Sequence, residues 1–294
     1  MWRLQEAQPP PTELGIEAVP GSPDWWTGGA RRDFCTAVAR LSDRVGVRYL
    51  ATRPLNERGG PDLPVSLTGS IALAELSVPG HQPVTVASVY CAWESVPQDG
   101  SGWIVSDAAA HRVLSDLSGL IETQRGHRLI VAGDWNLYRG YGDRGSTYWR
   151  DRYQTVFDRA AALGLVFCGP QHPNGSQADP WPEYLPTDSG NVPTYRRNVA
   201  DPATAVDQLD FVFASEAIAD LVTATALNVD WGPSDHCRVR IELDLERQPV
   251  ADAIAPAKAA FGTPRSEFKS EVGLPHLLLG PDYAVGVERE EIIG

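Results

Sequence analysis

Two periodicities in the apolar positions outline the elements of this chain. Helical spacing through Phe34, Val38, Leu41 and Val45, with Asp33 near the start, predicts an amphipathic helix over 32–45. The stretch before it, 7–30, is rich in Pro, Gly and Trp and reads as a long loop. Ile71–Val78 and Val84–Tyr90 are β-rich runs separated by Pro79-Gly80, which predicts a hairpin. Helical intervals return between Ile104 and Ile121 through Val113, Leu114, Leu117 and Leu120. Arg128–Ala132 is a short continuous apolar run of the kind found in strands buried on both faces. A helix over 152–163, a strand at Leu165–Phe167 and a turn-rich loop over 169–193 follow. Three more strands are expected at Leu209–Phe213, Leu221–Val229 and Val239–Leu245, the last alternating with period two. Helices interleaved with strands and a hairpin predict an α/β architecture with a mixed or largely antiparallel sheet. From about residue 248 the composition turns to Ala and Pro. This divides a domain over 1–247 from a linker and tail over 248–294, to which no role is assigned.

Composition narrows the possible partners. The 294 residues carry 25 Lys and Arg against 38 Asp and Glu, a formal charge of −13. A protein that holds nucleic acid through a broad basic surface is therefore not expected. Phosphate chemistry through a bound divalent cation remains open, because the ion reverses the local charge. Glycine (27) and proline (24) are abundant, in keeping with many turns. No apolar run is long enough to span a bilayer, and Met1–Glu6 followed by Pro9-Pro10-Pro11 lacks the apolar core of a signal peptide. Cys35, Cys91, Cys168 and Cys237 lie far apart without a Cys-x-x-Cys pair, so neither a zinc site nor a disulfide framework is indicated. A cytoplasmic location without membrane insertion is the expectation.

Three short segments could carry chemistry. In Ile130–Asn136 a buried strand runs into Gly133 and then offers Asp134 and Asn136, which face one side if the strand continues. A carboxylate beside an amide can activate water and bind a phosphoryl oxygen, although the same residues also form ordinary Asx turns. Trp231–His236 places Asp235 and His236 at a loop-to-strand junction, either as a metal-binding carboxylate with a titrating imidazole or as a plain surface turn. In Gln208–Phe213 an acid, Asp210, stands in an apolar run. It either lies at an exposed edge or must be paired, and His236 is a suitable partner.

Taken in order, Gly133-Asp134-Trp135-Asn136, Leu209-Asp210-Phe211-Val212-Phe213 and Ser234-Asp235-His236 resemble the motif set of the endonuclease/exonuclease/phosphatase superfamily. Pro193-Thr194-Tyr195-Arg196 resembles the lead-in to its Asp-bearing strand. The resemblance covers roughly residues 2–246. It implies a four-layered α/β/β/α sandwich of two packed mixed sheets and a metal-dependent phosphoric ester hydrolase. Asp134 then matches the residue that orients or deprotonates water, and Asn136 the amide at the scissile phosphate. Asp210 and His236 match the paired carboxylate and catalytic histidine, and Tyr90 a phosphate contact. Glu6, in Leu4-Gln5-Glu6, and Asp235 match positions around Mg²⁺, for which Mn²⁺ could substitute. The implied substrate is a phosphoester, with a nuclease-like phosphodiesterase favoured. A phosphomonoesterase, a phospholipase and a non-catalytic binding member are the alternatives. The family's first strand, ending in Asn, has no counterpart before Leu4-Gln5-Glu6, and a further β-rich run upstream in the reading frame is the expectation. Trp25-Trp26 and Tyr148-Trp149 offer aromatic faces either to a base or sugar or to the packing of loops.

Overall fold

A computed structural model describes residues 2–7, 9–22, 25, 35–57, 60–95, 104–121, 126–197, 201–229 and 231–247. The expected linker and tail over 248–294 lie outside the described residues. In chain order the strands are β1 (Trp2–Ala7), β2 (Glu17–Pro20), β3 (Cys35–Arg40), β4 (Gly46–Leu50), β5 (Thr52–Pro54), β6 (Leu63–Val65) and β7 (Ile71–Ser77). They continue with β8 (Val84–Tyr90), β9 (Glu94–Ser95), β10 (Ile104–Val105), β11 (Leu129–Asp134), β12 (Leu165–Gly169), β13 (Asp210–Ser215), β14 (Val222–Ala226) and β15 (Val239–Leu243). The α-helices are α1 (Asp107–Leu117) and α2 (Thr147–Ala162).

The organising layer is a six-stranded mixed sheet in the order β12-β13-β11-β8-β7-β4. Its one parallel pair is β8 with β11, and every other neighbour is antiparallel. The continuous apolar run in β11 suits its place, since all six of its residues are buried between β8 and β13. Alternation sorts the side chains onto two faces. Ile71, Leu73, Ala87, Val89, Leu129, Val131, Phe211 and Phe213 pack with Val113, Leu114 and Leu117 of α1 and Val156, Phe157 and Ala160 of α2. Ala72, Ala74, Val84, Val86, Ile130, Ala132, Val212 and Ala214 face a second β layer, meeting Val38 of β3 and Ala224 of β14. That layer comprises an antiparallel trio β1-β3-β2 and the antiparallel pair β14-β15. The α/β sandwich is as expected. Among the described residues both α-helices contribute to the core on one face of the six-stranded sheet.

Two elements differ from the pattern read along the chain. The helix expected over 32–45 is instead strand β3 over its described part, with five of six residues buried and a partner strand on each side. A short apolar run satisfies both periods, and pairing with β1 and β2 decides in favour of the strand. The expected loop over 7–30 contributes β2, in which Glu17 is exposed and Ala18, Val19 and Pro20 are partly buried. The hairpin across Pro79-Gly80 is present, with Ile71 opposite Val89 and Leu76 opposite Val84.

Gly133 shows how tightly β11 is enclosed, because a Cβ there would overlap the backbone of Val89 on β8. No side chain fits without separating the strands. Gly133→Ala is expected to destabilise the fold by about 1–3 kcal/mol or more, the scale of overpacking in a well-filled core. Urea denaturation reads this directly, and an unchanged midpoint would contradict the packing described.

Candidate active site

The ends of three adjacent strands bring the chemistry together. Asp134, the last residue of β11, is in register with Tyr90 at the end of β8 and with Asp210 at the start of β13. Two carboxylates thus stand opposite each other across an antiparallel pair, an arrangement that is unfavourable unless a cation compensates. His236 supplies that compensation. Its Nδ1 lies 2.8 Å from Asp210 Oδ2 and its Nε2 lies 3.9 Å from Asp134 Oδ2, with a quarter of the side chain exposed. Burial alone would lower the imidazole pKa. Asp210, by charge and hydrogen bond, and then the charges of Asp134 and Asp235, outweigh it and raise the pKa to about 10. Near neutral pH the ring is an imidazolium.

Asn136 reaches Asp134 by another route than the expected one. The strand stops at Asp134, and Asn136 adopts a left-handed conformation with φ of 50°, which Asn tolerates better than most residues. Its backbone N–H donates to Asp134 Oδ1 at 2.9 Å, and its Nδ2 donates to Asp134 Oδ2 at 3.0 Å and to the Cys91 carbonyl at 3.0 Å. An Asx turn and a functional cluster therefore coincide. Both oxygens of the Asp134 carboxylate are fixed by one neighbour. Trp135 between them points into the core, fully buried, with its ring edge on Phe213 at 5.0 Å.

A strap from the chain before β13 fastens the loop that carries His236. Thr194 Oγ1 accepts from the backbone N–H groups of Leu209 (3.0 Å) and Asp210 (3.1 Å), fixing the start of β13. The Arg196 guanidinium donates to the carbonyls of Gly232 (3.0 Å) and Ser234 (2.9 Å), and its backbone N–H donates to the Asp235 carbonyl. Tyr195, between them, lays its ring 5.0 Å from that of His236. Sequence reasoning noted this segment only as a lead-in to the strand. Its one available signal was an arginine beside a buried apolar strand, where a cation must find partners.

Asp235 lies close enough to raise the pKa of both His236 and Tyr195 by its charge. The side chain of Glu6 is outside the described residues, but its strand, β1, packs against β8 and β11, which carry Tyr90 and Asp134. Carboxylates are the hard oxygen donors that Mg²⁺ and Mn²⁺ prefer, so the donor chemistry suits such an ion. Among the described residues no three His, Cys, Asp or Glu side chains converge closely enough to hold a metal by themselves. Of the aromatic pairs, Tyr148 is exposed, whereas Trp149 stacks on Tyr153 and packs on the helical core. Trp26 lies outside the described residues.

No family model matches the sequence, and no characterised protein is significantly similar to it in sequence. Solved structures are similar in fold. The AP endonuclease LMAP from Leishmania major superposes with a TM-score of 0.51 at 15% identity, over 84% of this chain and 78% of that one. The endonuclease domain of TRAS1, a telomere-specific non-LTR retrotransposon, gives 0.48 at 17% identity over 79% and 80%. A 3′-5′ exonuclease (NExo) from Neisseria meningitidis gives 0.44 at 19% identity over 79% and 81%. The superposition on the Leishmania protein carries the assignment, and it concerns the fold alone. The chain has the α/β sandwich fold of the endonuclease/exonuclease/phosphatase superfamily.

Proposed function

We propose that this protein is a metal-dependent phosphodiester hydrolase of the nuclease-like kind. The observation that carries the reading is His236 held between Asp210 and Asp134 at the rim of the sheet. Asp210 accepts the Nδ1 proton and sets the orientation of the ring, leaving Nε2–H directed toward Asp134. The 3.9 Å between Nε2 and Asp134 Oδ2 is too long for a hydrogen bond. An oxygen seated off that line can lie about 2.8 Å from both groups, within normal hydrogen-bonding distance. A phosphoryl or water oxygen there would meet a cationic donor on one side and a carboxylate acceptor on the other.

In this mechanism Asp134 orients a water molecule and takes its proton as the oxygen attacks phosphorus. His236 stabilises the charge that builds on the phosphoryl oxygens. Asn136 acts on Asp134, because its amide donors are engaged by that carboxylate and by the Cys91 carbonyl. Tyr90 is next to Asp134 across the sheet, and in this reading it would contact a phosphate oxygen. Glu6 and Asp235 would hold a divalent cation, which when bound neutralises phosphate charge and favours attack and departure. Nucleic acid is the favoured substrate class, since the similar structures include an AP endonuclease and an exonuclease. With a chain charge of −13, a short or single-stranded substrate suits the protein better than a long duplex.

Asp134→Ala and His236→Ala are each expected to reduce turnover by at least about 10²-fold, the scale for loss of an acid–base or charge-stabilising group. Asn136→Ala should produce a similar loss, and the double variant with Asp134→Ala should add little to either single change. Steady-state hydrolysis of a single-stranded oligonucleotide and of a chromogenic phosphodiester measures this, and wild-type turnover in His236→Ala would overturn the assignment. Activity should vanish in excess EDTA and return with Mg²⁺ or Mn²⁺; undiminished turnover in chelator would rule out the metal role.

The histidine gives a separate, substrate-free signature. Its unfolded value is near 6.5 and its folded value about 10, so the folded protein binds this proton more tightly. The stability contributed by His236 is therefore complete below pH 6.5 and is lost as pH rises toward 10. NMR of the imidazole C–H signals in metal-free protein should place the midpoint far above 6.5, and the stability advantage over His236→Gln should shrink across that window. A midpoint near 6.5 would mean that the two carboxylates do not act on the ring.

A further inference from the structure

The Tyr195 ring beside His236 also lines a cavity of about 230 Å³. Its backbone bridges to both His236 and Asp207, so one short segment joins the reaction centre to the chamber. Tyr138, Tyr141 and Tyr184 form the other aromatic surfaces, and Asp207 and Arg197 supply charge. Tyr138 and Tyr141 stack at 4.7 Å with 22° between their planes, and Tyr184 lies 6.0 Å from Tyr141. The volume is below the roughly 300–1,000 Å³ of sites for drug-sized ligands, which suits a single ring system. Tyr138 and Tyr141 cover each other, so the Tyr184 and Tyr195 rings, both partly open to solvent, supply the phenol faces on which a nucleobase can stack.

The polar groups of the cavity make the match more specific. Asp207 is mostly buried, accepts a hydrogen bond from the Tyr138 hydroxyl and offers its remaining lone pairs as acceptors. The Arg197 guanidinium, largely exposed, stands 3.9 Å from Asp207, so its donors are not used up by that pair. An acceptor pair beside a donor complements the guanine edge, which presents N2–H and N1–H donors next to the O6 acceptor. Adenine and cytosine instead place a ring nitrogen acceptor on that edge, which a carboxylate repels. An ammonium headgroup could also use an aromatic cage, but Arg197 would oppose its charge.

We propose that this cavity is a base-binding subsite that selects guanine in the nucleotide adjoining the scissile phosphate. The proposal rests on the phosphodiesterase reading above and names the substrate feature that the same site would recognise. Isothermal titration with 5′-GMP, 5′-IMP, 5′-AMP, 5′-CMP and phosphocholine tests it without any need for turnover. GMP is expected to bind at least about tenfold tighter than AMP or CMP, the scale of one well-made base contact, with IMP between them. Asp207→Asn should abolish the preference for GMP, and Tyr184→Ala should weaken all four nucleotides alike. Unchanged melting temperatures would show that both variants are folded.

Equal binding of the four nucleotides, or tightest binding of phosphocholine, would overturn the subsite. So would a GMP preference that survives in Asp207→Asn. Hydrolysis of guanine-free oligonucleotides as fast as guanine-containing ones, without selective binding, would remove the subsite and leave the phosphodiesterase reading intact. Selective GMP binding by a protein that cleaves no phosphodiester would remove that reading and leave the subsite.

Discussion

Two carboxylates facing each other across β11 and β13 are the central constraint on this molecule. Asp134 and Asp210 occupy paired positions, and neither can move away without breaking the ladder that holds the middle of the sheet. Their repulsion is relieved by an imidazolium between them, so the position of His236 is tied to the register of two strands. Sheet pairing thus sets the geometry at the site, and the charge of the site sets the protonation of the histidine. Asn136, bound to both oxygens of Asp134, removes the remaining rotational freedom of that carboxylate.

The surrounding architecture keeps this rim rigid. Trp135 is anchored in the core between Asp134 and Asn136, so both project from a fixed base. Thr194, Tyr195 and Arg196 form one continuous strap. Thr194 holds the start of β13, Arg196 holds the carbonyls of the His236 loop, and Tyr195 lies against His236 and also lines the tyrosine-rich cavity. One strap therefore couples the position of the histidine to the shape of the adjoining chamber.

Charge accounts for the division of labour. A chain of net charge −13 repels polyanions at long range, so under the proposed function affinity for a phosphoester would be generated locally. The His236 imidazolium and the nearby Arg197 are local sources of positive charge.

Much of this was legible along the chain. The six buried residues of β11 were visible as a continuous apolar run, and the β7–β8 hairpin in its turn residues. Asp210 was visible as an acid in an apolar run, where a charge needs a partner, and the Asp134-Asn136 and Asp235-His236 pairs as polar residues at the ends of strands and loops. Strand β3 was not legible, since a six-residue apolar segment fits either period and only the neighbours β1 and β2 choose between them. The meeting of Asp134 and Asn136 was anticipated, but it arises from a left-handed turn at Asn136, which depends on the Cys91 carbonyl lying within reach. The tyrosine cavity gave no signal at all, because Tyr138 follows β11 while Tyr184, Tyr195 and Asp207 are spread along the long connection between β12 and β13. Composition and periodicity determine which residues must be buried or paired; which of them share a partner is decided by strand register and loop closure, which bring together residues far apart in the chain.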